Sequence, residues 1–448
     1  MKREQQDSFQ RPLEQKKSHD ISEWGTFKDS LKAPVHRWFT YPAGFSFKAV
    51  KHALERFGIQ QGQTVYDPFM GSGTTNVTAK TLGINSIGVE AHPFVFNIAK
   101  AKLNWDIPAH EVHHFVNYVS AEFEKALTDV SVDTIEHYFP ELILKCYDEE
   151  TLKKLFVLKN FVTGECISPS VKDFFHVVVT ALLRNISKAA TGWPYIAPKK
   201  IKTTALRKDV LTEFNSLALS MLHDIDIIKI ESGQRYIHSI HTPILGDSRN
   251  TDHLISNQSV DHVFTSPPYL NNFDYSDRTR LEMYFWGNAK TWGEISEQVR
   301  TKLITSATTQ IVRTDVKYHL SQELKETSPH IAHFIQNAVH ELSKLRQVKG
   351  GKKSYDLMVI GYFNDMFQVI KDVYRVLKPK TKALLILGDS APYGVHIPTD
   401  KIIGELGVNI GFSDYKIEVL RNRGEKWKDH PQRHGVKLQE SLVILSKG

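Results

Sequence analysis

Residues 63–93, QTVYDPFMGSGTTNVTAKTLGINSIGVEAHP, constrain the fold of this chain more than any other segment. An apolar run ends at Tyr66, a Gly-rich turn follows, and a helix-capable stretch closes at a Gly-Ile-Asn break. A second apolar run then occupies residues 86–89. Strand, loop, helix and strand within about 30 residues is the size of a right-handed βαβ crossover, which predicts two parallel strands bridged by a helix.

The same alternation returns later. Residues 235–247 and 260–269 each read as a strand running into a polar loop. A helix is expected from about Tyr355 to Leu377, then a Lys-Pro turn and a buried strand over 383–390. A glycine-closed helix (397–412) and two strands (415–422 and 439–447) complete the series. Strands alternating with helices imply an α/β fold with a mostly parallel sheet covered on both faces. The last two strands are close enough in sequence to pair antiparallel at one edge.

The length of 448 residues exceeds one ordinary core of about 100–200 residues, so it calls for two domains or one domain with large insertions. Two stretches lack the α/β alternation and favour insertions. Residues 109–235 are mainly helical in pattern; residues 291–354 are helix-like, polar, and end in VKGGKKS. The catalytic domain is then 31–108, 236–290 and 355–448, and the charged residues 1–30 are expected to form a mobile tail.

Composition removes several classes. Two cysteines, Cys146 and Cys166, cannot make a disulfide framework or a four-thiolate zinc site. No apolar run reaches the ~18 residues of a membrane span, and the N-terminal residues lack an apolar signal segment. The expectation is a soluble cytoplasmic protein without a membrane partner. A net charge of +7 permits a polyanionic partner without requiring one.

In Asp67-Pro68-Phe69-Met70-Gly71-Ser72-Gly73-Thr74-Thr75 the glycines let the backbone turn tightly and approach a ligand, and the hydroxyls lead into a helix N-terminus. Glu90 ends the next strand, where a carboxylate can take both hydroxyls of a ribose. No Gly-Lys-Ser/Thr follows, so the loop is not a triphosphate cradle. Asp67 would repel a pyrophosphate and welcome a cationic, amino-acid-like ligand. A bare Gly-x-Gly also suits an unliganded turn; Asp67, Pro68, Phe69 and Glu90 in register favour the ligand.

Thr265-Ser266-Pro267-Pro268-Tyr269 follows another strand-like run. Successive prolines stiffen the loop and remove two N–H donors, leaving the Pro267 carbonyl as an acceptor beside the Ser266 hydroxyl and the Tyr269 ring. Acceptors converging over an aromatic face suit a planar ring bearing an exocyclic amine. A rigid turn with a packing tyrosine is the plainer alternative.

With both loops in view, the sequence resembles the S-adenosylmethionine-dependent amino-methyltransferases that act on exocyclic amines of DNA bases. Their cofactor motif, DPFxGSGTT, is matched by residues 67–75, and their catalytic motif, (D/N/S)PP(Y/F), by residues 266–269. The resemblance covers roughly 36–104, 236–287 and 355–448, and implies a Rossmann-like class I methyltransferase sheet with S-adenosyl-L-methionine as cofactor. It makes Asp67, Pro68, Phe69, Gly71, Ser72, Gly73, Thr74, Thr75 and Glu90 cofactor residues, and Ser266, Pro267, Pro268 and Tyr269 catalytic. The segment HRWFTYPAGFS (36–46) resembles the family's stretch before the cofactor loop, which adds Tyr41 and Ser46. Asp247 matches the family's acidic residue near the adenine amine, although a turn or helix cap would also explain it.

The mechanism so implied is direct methyl transfer to the amine of a flipped-out base, with Tyr269 placed to stack on it. Carbon-5 methylation needs a nucleophilic cysteine in a Pro-Cys loop, and neither Cys146 nor Cys166 follows a proline. Within the family, Ser before Pro-Pro is commoner among N4-cytosine enzymes and Asp or Asn among N6-adenine enzymes. The resemblance therefore implies cytosine N4 ahead of adenine N6, in double-stranded DNA and with a cognate restriction endonuclease as partner. A non-catalytic cofactor- and DNA-binding subunit is the further alternative.

The cofactor motif precedes the catalytic motif here, whereas many relatives have the reverse order, so the recognition region does not transfer by analogy. The internal candidate is 184–208, with Arg184, Lys188, Lys199, Lys200, Lys202, Arg207 and Lys208, no acidic residue, and Trp193 and Tyr195 interleaved. A solvated surface loop is the alternative. A second basic loop spans 421–437. Asn271, Asn272, Asp274 and Tyr275 either shape the base pocket or cap the next helix. His110-Glu111-Val112-His113-His114 fits the zinc-protease pattern, a cheap match among 21 histidines, and no metal is expected.

Overall fold

A computed structural model describes residues 27–41, 44–164, 167–191, 196–202, 208–271, 273–311, 318–349, 353–423 and 435–448. In chain order its strands are β1 (Thr64–Asp67), β2 (Asn85–Glu90), β3 (Ala189–Ala190), β4 (Ala197–Ile201), β5 (His241–Leu245), β6 (Val260–Thr265), β7 (Leu377–Gly388), β8 (Asp414–Arg423) and β9 (Leu438–Ser446). Seven form one sheet in the order β5-β2-β1-β6-β7-β9-β8, and β3 pairs with β4 apart from it. β5, β2, β1, β6 and β7 pair in parallel.

The α/β reading and its Rossmann-like sheet hold. The antiparallel strand is β9, which lies one place in from the edge and pairs antiparallel with both β7 and β8. The expected βαβ unit is β1, the helix Thr74–Leu82 and β2. That helix is bracketed by two left-handed glycines, Gly73 (φ 86°) and Gly83 (φ 71°), which fit it into the short connection. A Cβ on Gly83 would stand 2.7 Å from the Arg235 carbonyl.

One face of the sheet packs on the helices Tyr355–Val376 and Thr399–Ile410, through side chains such as Val263, Leu385, Phe363 and Leu406. The helices Gln322–Thr327 and Pro329–Val348, within 291–354, join that core through Leu324, Ile335 and Leu342. The opposite face packs on Phe47–Arg56. The largest core is helical: Ala109–Thr128, Glu149–Thr163, Pro169–Ile186 and Val210–Ser232 pack together and continue onto Pro93–Leu103 through Phe94, Val95 and Ile98. Asp224 of Val210–Ser232, almost wholly buried, accepts from the Arg37 guanidinium (2.8 Å), Trp38 Nε1 (3.0 Å) and the Val35 amide (3.3 Å). The 109–235 stretch thereby anchors the segment that leads to Tyr41. No described helix is long and apolar enough to cross a membrane.

Strand order reverses direction between β2 and β6, on the two sides of β1. In open α/β sheets the crevice at such a point, outside the carboxyl ends of the strands, is where ligands bind. Both loops singled out from the sequence emerge there.

Candidate active site

β1 ends at Asp67, which is fully buried. Its Oδ1 accepts from Thr265 Oγ1 (2.6 Å) and the Phe69 amide (3.0 Å). Its Oδ2 is buried with no hydrogen-bond partner among the described residues. Burial pushes the carboxyl up to about 6, against the opposing pull of the Thr265 and Thr75 hydroxyls and the Phe69 amide. The following loop folds back on β2: the Met70 amide donates to the Val89 carbonyl (2.9 Å) and the Gly71 amide to Glu90 Oε2 (2.9 Å). That course needs bare backbone beneath it, because a Cβ on Gly88 would stand 2.5 Å from Met70 Sδ.

Glu90 is nearly buried, and its second oxygen accepts from the His92 amide (2.8 Å). Burial raises this carboxyl to about 7. Two backbone donors fix its orientation, and each oxygen keeps a lone pair for a ligand.

Ten of the candidate cofactor and catalytic residues line one pocket: Tyr41, Pro68, Phe69, Gly71, Ser72, Thr74, Glu90, Asp247, Ser266 and Pro268. The glycine-rich loop and the Ser-Pro-Pro loop therefore face the same space. Tyr41 packs its ring toward Gly71, where a Cβ would stand 3.5 Å from Cδ1, and burial raises its hydroxyl well above the usual range. The Ser266 hydroxyl donates to the Ile386 carbonyl on β7 at 3.4 Å, which leaves its lone pairs to accept.

Other singled-out residues, Asp67 among them, do not themselves line this pocket. Gly73 turns the chain into the helix, and Thr75 Oγ1 donates to the Phe264 carbonyl (3.5 Å). Pro267 is buried. The Tyr269 hydroxyl donates to Glu440 Oε1 on β9 (2.9 Å). Ser46 caps the helix Phe47–Arg56, accepting from the Lys48 amide (3.2 Å) and donating to Asp29 (3.0 Å); its neighbours Gly44 and Phe45 line the pocket instead. Asp247 both lines the pocket and makes a turn: it accepts from the Arg249 amide (2.9 Å) and is gripped by the Arg249 guanidinium (2.6 Å). Asp274 caps the helix Tyr275–Arg278, while Tyr275 lines the pocket.

Sequence reasoning missed one wall. Lys302, Leu303 and Ile304, from within 291–354, line the pocket. Arg249 ties this wall in place, reaching Asp365 (3.0 Å) and the Lys302 carbonyl (3.3 Å) as well as Asp247. A Leu-Ile pair in a polar stretch was the sole local sign of it.

The basic stretch 184–208 divides. Arg184 is not a surface side chain: its guanidinium pairs with the fully buried Glu282 and donates to the Thr191 carbonyl (2.9 Å). Lys202 is half-buried and donates to the Arg184 carbonyl (3.0 Å). Lys188 is partly buried; Lys199 and Lys200 are exposed on β4. Trp193, Tyr195, Arg207, Asn272, Cys166 and most of the 421–437 loop lie outside the described residues. Cys146 is buried on the helix Glu141–Cys146, its thiol pushed up to about 11 by burial, and does not line the pocket. Glu111 of the His-Glu-x-x-His pattern accepts from Ser168 (2.5 Å), and no group of three or more His, Cys, Asp or Glu among the described residues is placed to hold a metal.

The family model for DNA methylases matches residues 2–101, which include the glycine-rich loop and Glu90. The chain is 27% identical to the Type II methyltransferase M.BsoBI of Geobacillus stearothermophilus, across 97% of this chain and 91% of that one. It is 24% identical to the Type II methyltransferase M.MvaI of Kocuria varians, across 96% and 95%. Against the Type II methyltransferase M.AvaI of Nostoc sp. the identity is 22%, across 94% and 88%. The similarity thus runs through both loops and the helical stretches between them, and supports a relation to the N4/N6 amino-methyltransferases of DNA, a family whose methyl donor is S-adenosylmethionine.

Proposed function

We propose that this protein methylates the exocyclic N4 amine of cytosine within a specific sequence of double-stranded DNA, as the modification partner of a restriction endonuclease. The observation that carries the reading is the single pocket lined by both the glycine-rich loop and Ser266 and Pro268. Cofactor and amine would meet there without a covalent enzyme intermediate.

The residues suit the cofactor on physical grounds. The buried Asp67 carboxylate lies at the start of the loop that would take the cationic methionine end. Glu90, oriented by two amides, suits the ribose hydroxyls. Pro68, Phe69, Leu303 and Ile304 offer apolar walls for a purine, with Asp247 beside them. When bound, S-adenosylmethionine supplies an electrophilic methyl on a sulfonium centre.

The protein's own part is positioning and charge stabilisation. An aromatic amine is a poor nucleophile because its lone pair is delocalised into the ring. Accepting hydrogen bonds at Ser266 Oγ and the Pro267 carbonyl would localise that lone pair and stabilise the positive charge that develops on nitrogen. Tyr269 would stack on the base once it leaves the duplex. The choice of cytosine rests on Ser266 as the first residue of the loop.

The test is to incubate the protein with labelled S-adenosylmethionine and mixed-sequence DNA, hydrolyse the DNA and identify the labelled nucleoside. N4-methylcytosine is expected. N6-methyladenine would transfer the reading to adenine, and no label in any DNA or RNA despite cofactor binding would overturn catalysis.

A further inference from the structure

Tyr269 is held by groups that lie more than a hundred residues away in sequence, on three different strands. Its hydroxyl donates to Glu440 Oε1 (2.9 Å) on β9. Glu440 is 1% exposed and is in turn gripped by Arg421 of β8, through Nε to Oε2 (2.7 Å) and Nη2 to Oε1 (3.3 Å). A buried carboxylate needs such a partner, because an unpaired charge there would be costly. The Arg423 guanidinium lies 5.0 Å from the centre of the Tyr269 ring and donates to the Asp389 carbonyl (3.0 Å).

Two backbone features make this arrangement possible. Gly388 ends β7 opposite Glu440, and a Cβ on it would stand 2.9 Å from Tyr269 Cδ2 and 2.3 Å from Arg423 Nη1. Ring and guanidinium therefore occupy a slot that only glycine leaves open. In β8 the register slips by one residue between Val419 and Arg421. Directly opposed residues of antiparallel strands project from the same face, so an unbroken register would set Leu420 against Glu440. The bulge keeps Leu420 in the core and turns Arg421 onto the carboxylate.

A phenol ring pinned at Cβ by the backbone and at its oxygen by an acceptor keeps one freedom, rotation about the line joining those atoms. The Gly388 backbone and the Arg423 guanidinium restrict that rotation. Burial keeps the phenol protonated, its pKa well above the usual range, so it remains the donor.

We propose that Glu440, held by Arg421, is a positioning residue that fixes the plane of the Tyr269 ring so that an extruded base meets a preset stacking platform. This rests on the methyltransferase reading above. In the full-length protein, Tyr269→Phe and Glu440→Ala should each lower kcat about tenfold, with the cofactor KM unchanged within about twofold. The double variant should fall no further than the worse single one, and Glu440→Gln, which keeps an acceptor oxygen, should recover part of the rate. Additive losses, or a Tyr269→Phe protein as fast as the parent, would overturn the proposal. Crystal structures of the parent and Glu440→Ala proteins read the ring directly: the proposal requires the Tyr269 ring to leave its plane in the variant and fails if it stays. A parent protein that transfers no methyl would reject the methyltransferase reading instead, while the two crystal structures would still decide the positioning role.

Discussion

The two loops at the carboxyl edge of the sheet are shaped by opposite means. The loop after β1 is short-range architecture: its amides bond to the adjacent strand β2, and its turns need Gly71 (φ 53°) and Gly73 (φ 86°). The loop after β6 is stiffened by two prolines, then tied by side chains to β7 and β9, more than a hundred residues on. On the function proposed above, the first would hold the cofactor against fixed backbone, and the second an acceptor and a ring at a set angle. Substitutions should therefore separate binding from turnover.

The largest expected effect falls on the first loop. Asp67→Ala leaves Thr265 Oγ1 and the Phe69 amide without their acceptor, and should weaken cofactor binding about 100-fold by titration calorimetry. Intact binding with lost turnover would break the division. On the second loop, Tyr269→Ala should keep cofactor affinity and lower kcat about 30-fold, the scale of one lost stacking contact.

Acidity sharpens the contrast, since the first side carries the perturbed carboxyls. In the free protein Asp67 at about 6 and Glu90 at about 7 both lie above their ordinary values. The folded state then binds more protons than the unfolded chain between about pH 4 and pH 7, so their contribution to stability falls as pH rises through that window. Each of these buried carboxyls costs on the order of 3 kcal/mol once ionised. A cationic ligand favours the ionised forms. Cofactor affinity should therefore rise about tenfold from about pH 5.5 to about pH 7.5, and Glu90→Gln should flatten much of that rise while raising thermal stability at alkaline pH.

The smallest effects test the basic stretch. If exposed Lys199 and Lys200 touch DNA phosphates, replacing both by alanine should lower the slope of log affinity against log salt by about 2. Arg184→Ala should instead lower the melting temperature, because it strands the buried Glu282.

What could be read beforehand follows the same split. Residues 67–75 carry their own geometry, since tight turns need glycine and local hydroxyls and acids sit where the chain puts them. The βαβ unit, the strand series and both loop positions were legible for that reason. Glu440 had no local sign, because its role exists only after β7 and β9 pair. The wall at 302–304 depends on Arg249 bridging two segments that periodicity reads separately. Arg184 looked like a surface cation because charge in sequence says nothing of a carboxylate nearly a hundred residues away. Ser46 is an ordinary helix cap, which a motif match cannot distinguish from a ligand contact.

The place of β9 between β7 and β8 also sets an order of events during synthesis. Both neighbours leave the ribosome before the strand that joins them, so β7 waits with an open edge along its apolar second half until residues 438–446 arrive. Glu440, which accepts from the Tyr269 hydroxyl, is delivered by the same strand. The crevice beside β1 can then assemble early, whereas the contact between Tyr269 and Glu440 forms only when the sheet closes.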